Sequence, residues 1–99
     1  MSFKIGDRVE WASQAGSYEK IKSGWVAEIV PAATGCYAVR DRVAALTKAH
    51  NCGKAAFGYG GARKHDSYLI IVDFPGTKKK PRVYWPVASK LKAASAINA

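Results

Sequence analysis

Apolar and polar residues alternate near the beginning of the chain. Phe3 and Ile5 precede a Gly6-Asp7 turn, and Val9 and Trp11 follow it. A period of two is typical of a strand with one buried face. The pattern therefore predicts a strand that is entered through a tight turn.

The next segment is polar and only weakly periodic. We expect residues 12–23 to form a loop and residues 24–31 to form a second strand. Val26 is the buried candidate in that strand, and Pro31 is expected to end it because proline has no amide donor. Apolar residues occupy both alternating sets of positions in this strand, so the sequence leaves open which set faces the core.

The middle of the chain changes from strand-like to helical and then to glycine-rich sequence. Residues 36–40 predict a short strand, and residues 41–49 predict a two-turn helix with Val43 and Leu46 on one face. Four of the nine glycines lie in residues 51–65, which we expect to form a loop.

The last third reads as a hairpin with a charged tip. Residues 68–74 are the most apolar run and predict the central strand, and residues 82–86 predict the returning strand. Between them, residues 75–81 combine proline, glycine and three consecutive lysines, as a turn does. Residues 89–92 predict a closing helical turn with Leu91 packed inward.

This order of elements predicts a mainly β fold, a five-stranded SH3-like barrel in which closure removes the strand edges. We expect one domain over residues 1–99, with the barrel core at 3–40 and 67–92. A loop or short-helix insertion then covers 41–66, and a frayed tail covers 93–99. A three-stranded sheet with one packed helix is the alternative.

The positive charge is concentrated in the second half of the chain. Sixteen Lys and Arg residues face seven Asp and Glu residues, a net charge of +9. From Lys48 onward lie ten of those bases and only two of the acids. Such a field attracts polyanions, which makes nucleic acid the leading predicted partner and an acidic protein surface the second. Simple solubility is the remaining interpretation.

Aromatic residues interleave with these bases on two segments that a barrel would bring together. Cations bind phosphates, and flat rings stack on unpaired bases. The predicted nucleic-acid-binding residues are Lys54, Phe57, Tyr59, Arg63, Lys64, Lys78, Lys79, Lys80, Arg82 and Trp85. Alternatively, strand alternation divides Tyr84 and Trp85 between surface and core, and the lysines form a merely solvated turn.

Metal and catalytic sites find less support. Four side chains of types that bind zinc are present: Cys36, His50, Cys52 and His65. Their spacing lacks the close pairs of zinc sites, and the glycine-rich loop at 53–64 matches no phosphate-binding motif. The carboxylates are scattered, so we expect no cofactor, no metal, no disulfide and no enzymatic activity. An aromatic cage from Trp11, Tyr18, Trp25 and Tyr84 would bind a methylated ammonium, which the net positive charge disfavours.

Residues 3–11 and 24–29 resemble the opening of bacterial Tudor-like domains, including the hypervirulence-associated Tudor-type family, and of KOW-like modules. In those families a Gly-Asp turn feeds the first strand and Gly-x-Val begins the second, as residues 6–7 and 24–26 do here. Residues 84–91 are similar to their final strand and helical turn.

The resemblance covers residues 3–30 and 68–92, whereas residues 36–66 depart from it. It implies an SH3-like fold and a binding role, toward RNA, DNA, methylated side chains or protein surfaces.

We therefore expect a small basic cytoplasmic protein that binds nucleic acid through phosphates with low sequence preference. The start lacks the apolar run of a signal peptide, and no segment has the length and hydrophobicity of a membrane span. It would be an accessory or regulatory factor of a bacterium or its phage. The alternative function is a protein-interaction module or inhibitor that docks an acidic partner. The sequence leaves the choice of DNA or RNA and the oligomeric state open.

Overall fold

The sheet has five antiparallel strands in the order β4-β3-β2-β1-β5, and one helix accompanies it. The computed structural model describes residues 3–15, 18–53, 63–74, 76–86 and 88–93. The elements are β1 (Arg8–Ala15), β2 (Tyr18–Val30), α1 (Cys36–Ala49), β3 (Ser67–Val72), β4 (Arg82–Tyr84), a 3-10 turn (Ala88–Lys90) and β5 (Lys92–Ala93). The mainly β prediction is confirmed. The sheet is open, so the prediction of a closed barrel is not confirmed.

The prediction of a loop at residues 12–23 is wrong. β1 and β2 form one long hairpin, paired from Arg8 with Trp25 to Ala15 with Tyr18. Backbone hydrogen bonds hold such a ladder together whatever the side chains are. Ile21 in this arm is 60% exposed, so the one large aliphatic residue of the segment gives no sign of a buried face.

A β-bulge in β2 explains why its facing could not be read from the sequence. The register with β3 shifts between Val26 and Glu28, which places an extra residue in β2. A bulge reverses the parity of the residues that follow it. Val26 and Val30 are consequently both buried although they face different apolar clusters.

The predicted strand at residues 36–40 is also wrong, because helix α1 begins at Cys36. Gly35 is the extended N-cap residue, and Val39 and Val43 are buried one turn apart. Packing of this apolar stripe on the sheet outweighs the strand preference of the β-branched and aromatic residues. The predicted helix at 41–49 is confirmed as the C-terminal part of a 14-residue helix.

β3 is buried along its whole length, and its side chains enter two apolar cores on opposite faces of the sheet. Tyr68, Ile70 and Val72 point into a first core. Leu69 and Ile71 point into a second core, which α1 covers. The other buried members of the first core are Phe3, Val9, Trp11, Val26 and Leu91. The second core is completed by Val30, Val39, Val43, Cys52, Val83 and Trp85. β3 is thus an interior strand, while β2 holds the central position that the sequence predicted for β3.

The hairpin and closing helical turn at the end of the chain are confirmed. β4 pairs with β3, and Leu91 is buried after the 3-10 turn. The frayed tail was predicted to begin at residue 93, but Ala93 pairs with Val9 in β5. Residues 94–99 lie outside the described residues. No helix in the described ranges is long and apolar enough to span a membrane.

Gly24 is required by a close approach of β2 to β3. A Cβ atom at this position would collide with the main-chain carbonyl of Ile71. We expect Gly24→Ala to lower the free energy of unfolding by about 1–3 kcal/mol, measured by urea denaturation, because the backbone must move apart.

Gly53→Ala is the matched control, since a Cβ there comes no closer than 3.8 Å to a neighbour. Equal stability of the Gly24→Ala variant and the wild type would contradict this account of the β2–β3 packing.

Candidate functional site

The predicted site residues separate into three sets in the structure. Four cations are exposed where β3 returns into β4: Lys78, Lys79, Lys80 and Arg82. Arg63 and Lys64 precede β3 at its opposite end, and Trp85 is buried in the second core. Lys54, Phe57 and Tyr59 lie outside the described residues.

The four exposed cations lie on a hydrogen-bonded turn, which we call the basic hairpin (residues 76–82). The Thr77 hydroxyl donates to the Phe74 carbonyl at 2.7 Å and accepts from the Lys79 amide at 3.2 Å. Gly76 has φ of +77°, a conformation that favours glycine. Thr77 and Gly76 therefore stabilise the turn that the sequence predicts. They fix the backbone conformation of the segment that contains the lysines.

A second contact ties the basic hairpin to the segment after α1. The Gly53 amide donates to the Pro81 carbonyl at 2.8 Å. A Cβ at Gly53 would lie 3.8 Å from the Lys80 Cβ atom. Gly53, the residue before Lys54, therefore lies beside the basic hairpin. The rest of the glycine-rich segment up to Ala62 lies outside the described residues, so the predicted approach of the two basic segments stays a prediction.

No acidic side chain neutralises the basic hairpin within the described part of the chain. None of its four cations forms an ion pair with a described carboxylate. Asp73 is the nearest acid in sequence. Burial and secondarily the Asp73 carboxylate raise the pKa of the Cys52 thiol. The positive charge of the basic hairpin is consequently available to an external anion.

Two half-buried aromatic rings border the basic hairpin, and a lysine ammonium group lies over each of them. The Lys22 Nζ atom lies 4.9 Å from the Tyr84 ring centroid, and Lys79 Nζ lies 5.6 Å from that of Phe74. Trp11 packs edge-on against Tyr84, with centroids 5.9 Å apart. These cation–π contacts place positive charge over the rings.

Trp85 and Arg63 are used for internal packing. The Trp85 indole donates to the Ser67 hydroxyl at 2.8 Å, and the Arg63 guanidinium stacks 3.7 Å from the Trp85 ring centroid. Arg63 also donates to the carbonyls of Trp85 and Pro86 at 2.9 and 2.8 Å. Burial lowers the pKa of this guanidinium. Strand alternation thus separates the two rings: Trp85 is buried in the second core, and Tyr84 is half-buried against the first core. The alternative interpretation had divided them between surface and core.

Lys64 is not brought to the basic hairpin. The six residues of β3 separate it from that turn, a length of about 20 Å. Lys64 instead lines an open groove with His65, Ser89 and Lys92, over a floor that includes Tyr68. The predicted basic set is therefore distributed over both ends of β3.

The two cysteines are far apart, and the possible metal ligands form no cluster among the described residues. Helix α1 separates Cys36 from Cys52 by about 20 Å, which rules out a disulfide between them. His50 contacts the Trp25 ring edge-on at 5.2 Å. Among the residues that the structure describes, no three His, Cys, Asp or Glu side chains group as a metal site would require.

The three described side chains of the predicted cage are not all brought together. Trp11 belongs to the first core, and Trp25 packs against the second core on the opposite face of the sheet. Tyr84 contacts Trp11, and the Lys22 ammonium lies over its ring. The Tyr18 side chain is not among those that the structure describes.

Lys22 lies at this surface although the sequence did not predict it there. Residues 12–23 were assigned to a loop, which hid the pairing of Lys22 with Trp11 across the β1–β2 ladder. Recognition of that hairpin would have placed Lys22 beside the aromatic pair.

No protein-family model matches this chain, and no curated protein or solved structure matches it either. The resemblance to Tudor-like and KOW-like domains stays a prediction.

The structural role of Arg63 is testable by comparison with its neighbour. We expect Arg63→Ala to lower the free energy of unfolding by about 1–3 kcal/mol, because two hydrogen bonds and a cation–π contact are lost. Lys64→Ala removes the same charge from an exposed position and should change stability by less than about 0.5 kcal/mol. Equal effects of the two substitutions in urea denaturation would contradict the role of the Arg63 contact.

Proposed function

We propose that this chain binds nucleic acid through phosphate contacts made chiefly by the basic hairpin, with low sequence preference. The observation that carries the proposal is the group of exposed cations at 78–80 and 82, which no described carboxylate neutralises. A fixed backbone displays them on one turn.

Phosphate contacts suit this surface better than base readout does. Lysine ammonium groups are flexible point charges that attract phosphates without distinguishing bases. Specific readout requires side chains that fit the base edges of a groove, typically in bidentate pairs. Three of the four exposed cations are lysines, so affinity is expected from counterion release and specificity is expected to be low.

We also propose an SH3-like arrangement for the sheet, related to the Tudor-like and KOW-like domains that the sequence resembles. The meander β1 to β4, with β5 returning beside β1 after a 3-10 turn, supports it. So does the contact of Trp11 in β1 with Tyr84 in β4, since these strands are not neighbours and the sheet must curve to bring them together. The α1 insertion covers the outside of this curve.

The proposed role is binding, without a catalytic group, metal or cofactor, because phosphate contacts need cations alone. A cytoplasmic location is part of the proposal, since nucleic acid is present there. The two cysteines, which the length of α1 keeps apart, are suited to a reducing compartment.

A salt titration with matched charge variants tests the proposal. Binding of a fluorescent duplex is followed by anisotropy at several salt concentrations for the wild type and for Lys78→Ala/Lys79→Ala/Lys80→Ala. We expect the affinity of the triple variant at low salt to fall about 10- to 100-fold and the log–log salt slope to shrink by about 2 to 3.

Lys64→Ala/Lys90→Ala/Lys92→Ala is the control, since it removes the same charge from the other end of β3. It should lose less than about 5-fold, with a nearly unchanged slope. Equal losses in the two triple variants would show diffuse attraction by net charge and contradict the hairpin site. No binding by the wild type even at low salt would overturn the proposal and favour an acidic protein partner.

A further inference from the structure

The described aromatic rings beside the basic hairpin have ammonium groups over them. Lys22 covers Tyr84, and Lys79 lies over Phe74. Trp85, which the sequence predicted as a stacking ring, lies toward the other end of β3, where it is 6% exposed beneath the Arg63 guanidinium. Within the described surface, each ring near the four cations therefore has positive charge over a face where a base would stack.

Open ring faces matter because they distinguish single strands from duplexes as ligands. Proteins that hold single strands stack unpaired bases on aromatic rings and gain much of their affinity from that contact. In a duplex the bases already stack on one another, and the backbone presents phosphates at regular and dense spacing. A surface with exposed cations and covered rings can bind the phosphates of a duplex backbone, but it gives an unpaired base no ring on which to stack.

The fixed geometry of the basic hairpin points the same way. The Thr77 hydroxyl bonds to the Phe74 carbonyl and to the Lys79 amide. The Pro81 carbonyl accepts a hydrogen bond from the Gly53 amide. A fixed backbone loses little entropy when its lysines meet a regular row of phosphates. A flexible single strand must be ordered to match the same spacing, and it receives no stacking in return.

We propose that the basic hairpin prefers double-stranded to single-stranded nucleic acid and that Lys22 maintains this preference by covering the Tyr84 ring. The inference rests on the proposed nucleic-acid binding and specifies its ligand.

Lys22 can be tested apart from the basic hairpin because it reaches Tyr84 from β2. It pairs with Trp11 across the β1–β2 ladder, and Trp11 packs edge-on against Tyr84 with ring centroids 5.9 Å apart. Shortening the Lys22 side chain uncovers one ring and leaves residues 78–82 unchanged. Lys22→Met is a matched variant, since a long apolar side chain still covers the ring but carries no charge.

The test compares a labelled duplex of 20 base pairs with one of its strands, chosen without self-complementarity, by anisotropy at one salt concentration. We expect the wild type to bind the duplex about ten-fold more tightly or more. Lys22→Ala should reduce the duplex-to-single-strand affinity ratio about five-fold or more, since one base gains a stacking surface. Lys22→Met and the distant Lys90→Ala should keep the wild-type ratio, and circular dichroism confirms that each variant is folded.

The outcomes separate this inference from the proposed function. Wild-type protein that binds the single strand as tightly as the duplex overturns the duplex preference and leaves nucleic-acid binding in place. An unchanged ratio in Lys22→Ala, or an equal fall in Lys22→Met, overturns the assignment to Lys22. Failure to bind either ligand at low salt overturns the proposed function itself.

Discussion

The burial of β3 on both of its faces is the constraint on which the arrangement of the other elements depends. Tyr68, Ile70 and Val72 need one apolar cover, and Leu69 and Ile71 need another. The hairpin of β1 and β2 with Leu91 supplies the first cover, and α1 supplies the second. Each fully buried aliphatic side chain contributes about 1.5–3 kcal/mol to the hydrophobic stabilisation. The charged turns are thereby restricted to the two ends of β3, where Lys64 emerges at one end and the basic hairpin at the other.

Sequence periodicity predicts those elements whose burial is regular and misses those whose burial is not. The run around β3, its return into β4 and the turn before Leu91 follow simple patterns, and the structure confirms them. The arm at 12–23 is held by backbone pairing, and the bulge near Val26 reverses the facing of β2, so neither shows a clean period. α1 extends to Cys36 because the sheet supplies a cover for Val39, a tertiary contact that local preference does not contain.

The same distinction applies to the candidate site. The lysines at 78–80 follow directly from turn chemistry and charge, whereas Arg63 and Trp85 could not be assigned without their neighbours. A guanidinium is planar and weakly hydrated, so Arg63 stacks on Trp85 and donates to carbonyls. Ammonium groups are strongly hydrated and stay at the surface. Lys22 and Lys79 accordingly lie over the half-buried rings of Tyr84 and Phe74. Arg63 thus packs over the second core, whereas the surface lysines supply positive electrostatic potential.

The central claim is that the external anion meets the basic hairpin rather than the helical side of the molecule. Chemical-shift mapping by two-dimensional ¹H–¹⁵N NMR, with a short unlabelled duplex added to ¹⁵N-labelled protein, tests it most directly. The account predicts that the amides of residues 76–80, Arg82 and Gly53 shift with saturable dependence on the duplex, while those of α1 stay in place. Shifts centred on α1, or small shifts spread evenly over the described surface, would contradict it.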